Sequence, residues 1–338
     1  MVRTGPMIGT FSRGMQRILR QIRPGRPNSG VSRDAQALAA ARKDRRLRVR
    51  RRSGTRTIRR AWYAARPVTS RSERFTTPSL GGVHLHALHH GDPSRRLLVL
   101  LHGGGANAHW WDHLAPAFAE SFHAVALDFR GHGDSDHPDP IEPGAFARDL
   151  QALLEHQGAR DPVLMGHSMG GHIALDHTAL HDRVRALVAI EIVRGVQSRE
   201  RRVLRLALAA RRSYLTREDA LARYRFLPPA PNASERLRAS IAAHSVQQEP
   251  DGRFGFKFDP RWFTLPASQP PPLGGIRCPT LIVRGAQSPL LSAEGAAAFA
   301  AEIPAARVAV IEAAGHNLHV EQPEAFLAAT LPFLREHA

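Results

Sequence analysis

The sequence predicts an α/β fold, a mostly parallel sheet with helices on both faces plus an inserted helical cap. Three observations predict it. Short, continuous apolar runs recur from about residue 73 onward, as strands buried on both faces of a parallel sheet do. Helix-length segments separate most of these runs, which a parallel sheet needs for its crossovers. The rhythm breaks once, between Ile190 and Thr280, and that gap is long enough to hold an insertion over the sheet.

The elements follow in order. Glu73–Thr76 and Val83–His89 read as a short antiparallel pair around Gly81-Gly82, with period-two alternation in Val83, Leu85 and Ala87. Buried strands are predicted at Leu97–Leu101, His123–Leu127, Pro162–Met165, Ala186–Ile190, Thr280–Val283 and Val308–Ile311. Helices are predicted over His109–Ala119, Pro143–Gln157, Gly170–His181 and Ser292–Ile303, and a final one over Pro323–His337 with proline in its first turn. In the gap, Val203–Leu208 and Thr216–Phe226 look helical, and Thr216 with Asp219 forms a candidate capping box. Phe254-Gly255-Phe256, Trp262-Phe263 and the proline-rich Pro266–Pro272 close it. The division is therefore an N-terminal extension (1–72), a core (73–193 and 273–338) and a helical cap (194–272).

The 338 residues carry a net charge of +17, which invites a nucleic-acid reading. Its distribution argues against one. Residues 1–74 hold 20 Arg and 1 Lys against Asp34, Asp44 and Glu73, a balance of +18, and the remaining 26 basic and 27 acidic residues give −1. The folded domain thus has no electrostatic reason to bind a polyanion. The extension is rich in Arg, Gly, Pro and Ser and reads as a disordered tail. Its one amphipathic stretch, Phe11–Ile22, sets Phe11, Met15, Ile18, Leu19 and Ile22 opposite Arg13, Arg17 and Arg20, a candidate for weak contact with an anionic membrane or polyanion. No secretory signal or spanning run is present, and the expected location is the cytoplasm. The single cysteine, Cys278, precedes a strand and reads as a small buried residue.

The chemistry is carried by Gly166-His167-Ser168-Met169-Gly170, which lies between the apolar run Pro162–Met165 and the helical Gly171–Leu180. A serine on so tight a strand-to-helix turn has strained backbone angles, and side chains two residues away would collide with the neighbouring elements, hence the glycines. Upstream, Leu97–Leu101 runs into His102-Gly103-Gly104-Gly105; downstream, Gly315-His316 follows Val308–Ile311. With Asp128-Phe129-Arg130-Gly131-His132-Gly133-Asp134-Ser135 and Gln322-Pro323-Glu324, these segments make residues 73–338 resemble the α/β-hydrolase superfamily, in its compact bacterial branch with a helical cap.

The resemblance implies a cofactor-free serine hydrolase, with Ser168 as nucleophile and His316 as base. Histidine suits that task because its pKa lies near neutrality. The oxyanion hole is implied at the backbone N–H groups of Gly104 and Met169, and Asp128–Ser135 is implied to be a structural turn. The family usually places its acid three to four residues beyond the glycine that corresponds to Gly285, but here the stretch reads Gly285-Ala286-Gln287-Ser288-Pro289. Some branches place it after the preceding strand, where Glu191 stands; Glu294 is a lesser candidate, read as a first-turn helix residue. A carboxylate tied to a loop is the alternative for Glu191, with Ser288 or a water then partnering the histidine. His167 and His172 are read as packing around the elbow, and no H-E-x-x-H metal motif occurs.

The expected substrate is a small, largely apolar ester, lactone or thioester. Carbon–carbon bond hydrolysis of ring-cleavage products is an alternative suggested by His102–Gly105, although that subfamily continues with proline and glycine where this chain has Ala106-Asn107. Haloperoxidase activity is a conceivable side reaction, and a non-catalytic ligand-binding relative is the alternative from another class. Epoxide hydrolases and haloalkane dehalogenases use an aspartate where this elbow carries Ser168.

Overall fold

The computed structural model describes residues 46–48, 70–192, 213–264 and 270–338. The chain divides into Met1–Asp44 and Arg45–Ala338, and the described residues all belong to the second unit. The stretches Phe11–Ile22 and Val203–Leu208 lie outside the described residues.

The strands are β1 (Arg46–Arg48), β2 (Arg71–Phe75), β3 (Leu85–His90), β4 (Leu97–Leu101), β5 (His123–Asp128), β6 (Val163–His167), β7 (Ala186–Ile190), β8 (Val246–Gln248), β9 (Phe254–Phe256), β10 (Thr280–Gly285) and β11 (Ala306–Ile311). Nine of them form one sheet in the order β1-β11-β10-β7-β6-β4-β5-β3-β2. The ladders β1/β11, β11/β10, β10/β7, β7/β6, β6/β4 and β4/β5 are parallel, and only β3/β5 and β2/β3 are antiparallel. The expected α/β fold with a mostly parallel sheet is the observed one. The sheet does begin earlier than Glu73. β2 starts at Arg71, and β1 comes from within the basic extension to pair with β11 as the new edge of the sheet.

The apolar runs are continuous because both faces of the sheet are covered. On β4, Val99 and Leu101 join a layer with Leu150, Leu153 and Leu175, while Leu98 and Leu100 join another with Trp111, Phe118 and Phe326. Successive side chains on a strand point to opposite faces, so only an apolar run can feed both layers. Each fully buried side chain of this size is worth about 1.5–3 kcal/mol.

The helices of the core are α1 (Ala115–Ala119), α2 (Ala145–His156), α3 (Met169–Leu180), α6 (Ala293–Ala301), α7 (Leu318–Glu321) and α8 (Pro323–His337); α4 (Arg217–Arg223) and α5 (Glu235–His244) belong to the insert. Helix starts follow capping chemistry. Thr216 accepts from the Asp219 amide, Ser234 from Leu237 and Ser292 from Gly295, each such cap contributing about 1 kcal/mol. The predicted helix His109–Ala119 is instead a 3₁₀ turn, Ala108–Trp111, followed by α1. Pro116 explains the break, because proline has no N–H for a helical bond and is tolerated only in a first turn.

The insert is less purely helical than predicted. Its described part holds α4 and α5, but also the antiparallel hairpin β8/β9 and the 3₁₀ segment Pro260–Thr264. The hairpin follows from Phe254-Gly255-Phe256, which sits opposite Val246–Gln248 and lets Phe256 and Val246 pack rather than lie on a helix. A separate apolar cluster joins insert to core, with Tyr224, Phe226 and Ile241 from one side and Ala106, Trp110 and Val320 from the other.

Candidate active site

A parallel sheet delivers the loops after its strands to one edge, and that topology assembles the site. Five adjacent strands contribute. β4 leads into His102–Gly105, β6 into Ser168, β7 into Glu191 and β10 into Ala286–Ser288, while His316 follows β11.

Ser168 is the turn between β6 and α3, with φ 50° and ψ −111°, an unfavourable conformation for a residue with a side chain. Its amide donates to the Ile190 carbonyl at 2.9 Å, which ties the elbow to β7. The flanking glycines answer to close approach. A Cβ on Gly166 would lie 2.4 Å from the Gly170 carbonyl oxygen, and one on Gly170 would lie 2.6 Å from the carbonyl oxygens of His102 and Leu101. The Gly170 amide donates to His102 O at 3.1 Å, so the elbow and the glycine-rich loop are hydrogen-bonded together. Gly103 rides against the elbow, its Cβ position 3.5 Å from Ser168 Cβ. Met169 opens α3, where first-turn N–H groups have no intrahelical acceptor.

Glu191 and His316 meet. His316 Nδ1 lies 3.1 Å from Glu191 Oε2, and both residues are buried. Glu191 also has a positive φ of 53°. The stretch that lacks a carboxylate serves Glu191 instead. The Gly285 amide donates to Oε1 at 2.7 Å and the Ser288 hydroxyl to Oε2 at 2.6 Å. Burial pushes the Glu191 carboxyl up to about 8, against the pull of the Ser288 and Gly285 bonds and of the nearby Arg284 guanidinium. Glu294 lies in the first turn of α6 beyond the Ser292 cap.

Neighbouring residues hold this arrangement. His167 is buried beneath the elbow, where its Nε2–H donates to the His316 carbonyl at 3.0 Å. Burial, with His316 adding to it, keeps His167 well below the usual histidine range, so it is a neutral prop. The Gly315 amide donates to Glu321 Oε1 at 3.0 Å, fixing the loop just before His316. Burial pushes the Glu321 carboxyl up. Asp128 is fully buried and accepts from the Ala108 amide at 2.6 Å, from His86 Nδ1 at 2.7 Å and from the Asp134 amide at 3.0 Å. Arg130 pairs with Asp149 at 2.6 Å, so the Asp128–Ser135 segment is the structural turn expected of it. From the insert, the Trp262 ring comes so close to Gly104 that a Cβ there would fall 2.1 Å from Cζ2.

Sequence reasoning brought Ser168, His316, Glu191, Gly104 and Met169 to one region, and the structure gathers all five around this sheet edge. It missed Glu321 and the contact of Trp262. An acidic residue shortly after Gly315-His316 was a usable signal for the first; nothing local signals the second.

The alpha/beta hydrolase family model matches residues 98–329, a span from β4 to α8. The chain belongs to the alpha/beta hydrolase family. It is therefore a hydrolase. Among curated relatives, Esterase YbfF of Escherichia coli is 28% identical over 71% of this chain and 93% of its own length. The 2-hydroxy-6-oxo-6-(2'-aminophenyl)hexa-2,4-dienoic acid hydrolase of Metapseudomonas resinovorans is 28% identical over 79% of this chain and 92% of its own. Epoxide hydrolase A of Mycobacterium tuberculosis is 36% identical, but the match spans 33% of this chain and only 36% of that relative's length. The solved structure of E-2-(acetamidomethylene)succinate hydrolase aligns with a TM-score of 0.69 at 26% identity, covering 79% of this chain and all of that one. Among the described residues, no helix is long and apolar enough to cross a membrane.

Proposed function

We propose that this hydrolase cleaves small, largely apolar carboxylic esters, lactones or thioesters through an acyl-enzyme on Ser168. The observation that carries this reading is the hydrogen bond between His316 Nδ1 and Glu191 Oε2 at the sheet edge where Ser168 occupies the strained elbow. Because Nδ1 is held by Glu191, Nε2 is the nitrogen that exchanges protons with the serine. Ser168 Oγ attacks the carbonyl carbon as its proton passes to Nε2. The developing oxyanion is met by the N–H groups of Gly104 and Met169, each such donor being worth about 2.7–4 kcal/mol of barrier. His316 then returns the proton to the leaving alcohol or thiol, and water repeats the sequence to release the acid. Glu191 holds the tautomer with Nδ1 protonated and stabilises the imidazolium as it forms.

The match to an esterase over 93% of that relative's length supports this chemistry. The dienoic acid hydrolase is matched as fully, and Ala106-Asn107 after the glycine loop is the feature that argues against its reaction. An epoxide-opening carboxylate is not at the elbow, since that position is Ser168. Ser168→Ala should abolish p-nitrophenyl ester hydrolysis and labelling by a fluorophosphonate probe, with circular dichroism unchanged. Substantial activity in that variant would refute the assignment.

A further inference from the structure

Away from the serine site, three side chains converge at the junction of insert and core. His109 belongs to the 3₁₀ turn Ala108–Trp111, Asp112 caps that turn, and His244 ends α5. One ligand atom from each lies within 4.8 Å of the other two. The two imidazoles are stacked, with centroids 3.8 Å apart and planes 17° from parallel, and His109 Nδ1 is 2.8 Å from Asp112 Oδ2.

Two features of this cluster are unresolved by the protein's own bonds. Asp112 Oδ1 is buried and has no hydrogen-bond partner among the described residues. His90, itself buried, has neither ring nitrogen partnered among them. The Asp112 side chain is part exposed and its Oδ2 meets His109, so Oδ1 is the carboxylate oxygen left without a donor, and a cation is one way to satisfy it. The other polyvalent candidate, His86 with Asp128 and Asp134, differs in this respect, because Asp128 is saturated by His86 and two backbone amides.

We infer that His109, Asp112 and His244 bind a divalent transition-metal ion of the zinc class, which ties the insert to the core. Two imidazoles and one carboxylate are the donor set that zinc favours, and a fourth position is left for water. Donors about 2.0–2.1 Å from zinc lie about 3.4 Å apart on a tetrahedron, so small side-chain rotations close the set. The backbone here is already fixed. Asn107 Nδ2 donates to the His244 carbonyl at 3.3 Å and to Ser245 Oγ at 3.2 Å, holding the end of α5 over the turn. Asn107 stands two residues beyond Gly105, so the ion would lock α5 to the segment that continues from the glycine loop.

The test uses the full chain, stripped with a chelator and titrated with zinc by calorimetry, and with cobalt by visible absorption. One zinc should bind per chain, raise Tm by a few degrees, and be weakened at least tenfold by each of His244→Ala and Asp112→Asn. Cobalt should give a d–d spectrum that both variants lose. His244 is exposed, so its truncation is structurally mild, and circular dichroism of the metal-free variants checks the fold. The rival site is the pair of His177 on α3 and His181 just after it, whose rings lie 4.3 Å apart. Zinc binding that is unchanged in His244→Ala and Asp112→Asn, or that is lost in His181→Ala, overturns the inference.

Discussion

Replacing Glu191 by glutamine should make this enzyme nearly inactive and, at neutral to alkaline pH, more stable. Glutamine keeps the volume and the bond from the Gly285 amide but removes the charge. Without the carboxylate, Nδ1 of His316 is no longer held protonated, and the tautomer with the proton on Nε2 cannot take one from Ser168. Loss of this orientation lowers kcat by up to ~10⁴-fold in enzymes built this way. The stability change has the opposite sign. Burial raises the folded carboxyl from the ordinary 4.5 to about 8, so between those pH values the folded state binds the proton that the unfolded chain releases. Stability from this group is therefore fully present below about pH 4.5 and is lost as pH rises through 8. At about 1.36 kcal/mol per pH unit, the loss is on the order of 3 kcal/mol by pH 7 and about 5 kcal/mol above pH 8. Glutamine escapes that cost and gives back part of it through weaker bonds to Ser288 and His316.

Two measurements check this. Thermal melts of wild type and Glu191→Gln should coincide near pH 5 and diverge as pH rises, with the variant several degrees higher at pH 8.5. In wild type, kcat/KM should climb with pH to about 8, because only the ionised Glu191 holds the productive tautomer. A variant that keeps near-normal kcat, or one whose melting temperature falls below wild type at pH 8.5, would refute the reasoning.

Two further outcomes are expected. In Glu191→Gln/Ser288→Asp a carboxylate returns where the wider family usually keeps it, and kcat should recover at least tenfold over Glu191→Gln; no recovery would mean that the β10 loop cannot present an acid to His316. Trp262→Ala should open the space against Gly104 and raise the kcat/KM ratio of octanoate to acetate p-nitrophenyl esters by roughly tenfold or more; an unchanged ratio would remove Trp262 from the acyl site.

The strands were readable because burial on both faces leaves a local mark. Leu97–Leu101 and Ala186–Ile190 have the same bounds in sequence and structure, since each residue of a doubly covered strand must be apolar. The elbow was readable for a related reason, as Gly166 is required by the backbone of Gly170 and Gly171 a few residues away, while Gly170 answers to the distant carbonyls of Leu101 and His102. What escaped depends on distant partners. The hairpin β8/β9 stands on pairing between segments too short to show a period, and β1 is a three-residue edge strand inside a segment whose composition reads as disordered. Trp262 faces Gly104 across more than 150 positions, which no local pattern encodes.

In the proposed triad, the position of the acid shows how topology tolerates a change that motif reading treats as a defect. β7 and β10 are adjacent and parallel, with Ile190 opposite Val283 in the ladder. The residue after Ile190 therefore emerges beside the loop that follows Gly285, and a carboxylate on either strand end can face the residue delivered by β11. Moving the acid from one loop to its neighbour leaves the β10 loop without a charge, yet its groups remain in reach. Ser288 and the Gly285 amide become donors to Glu191, with the Ser288 hydroxyl and His316 Nδ1 both meeting Oε2. In the proposed triad the missing carboxylate and the serine in its place are thus two sides of one arrangement, in which the loop that elsewhere supplies the acid here orients it.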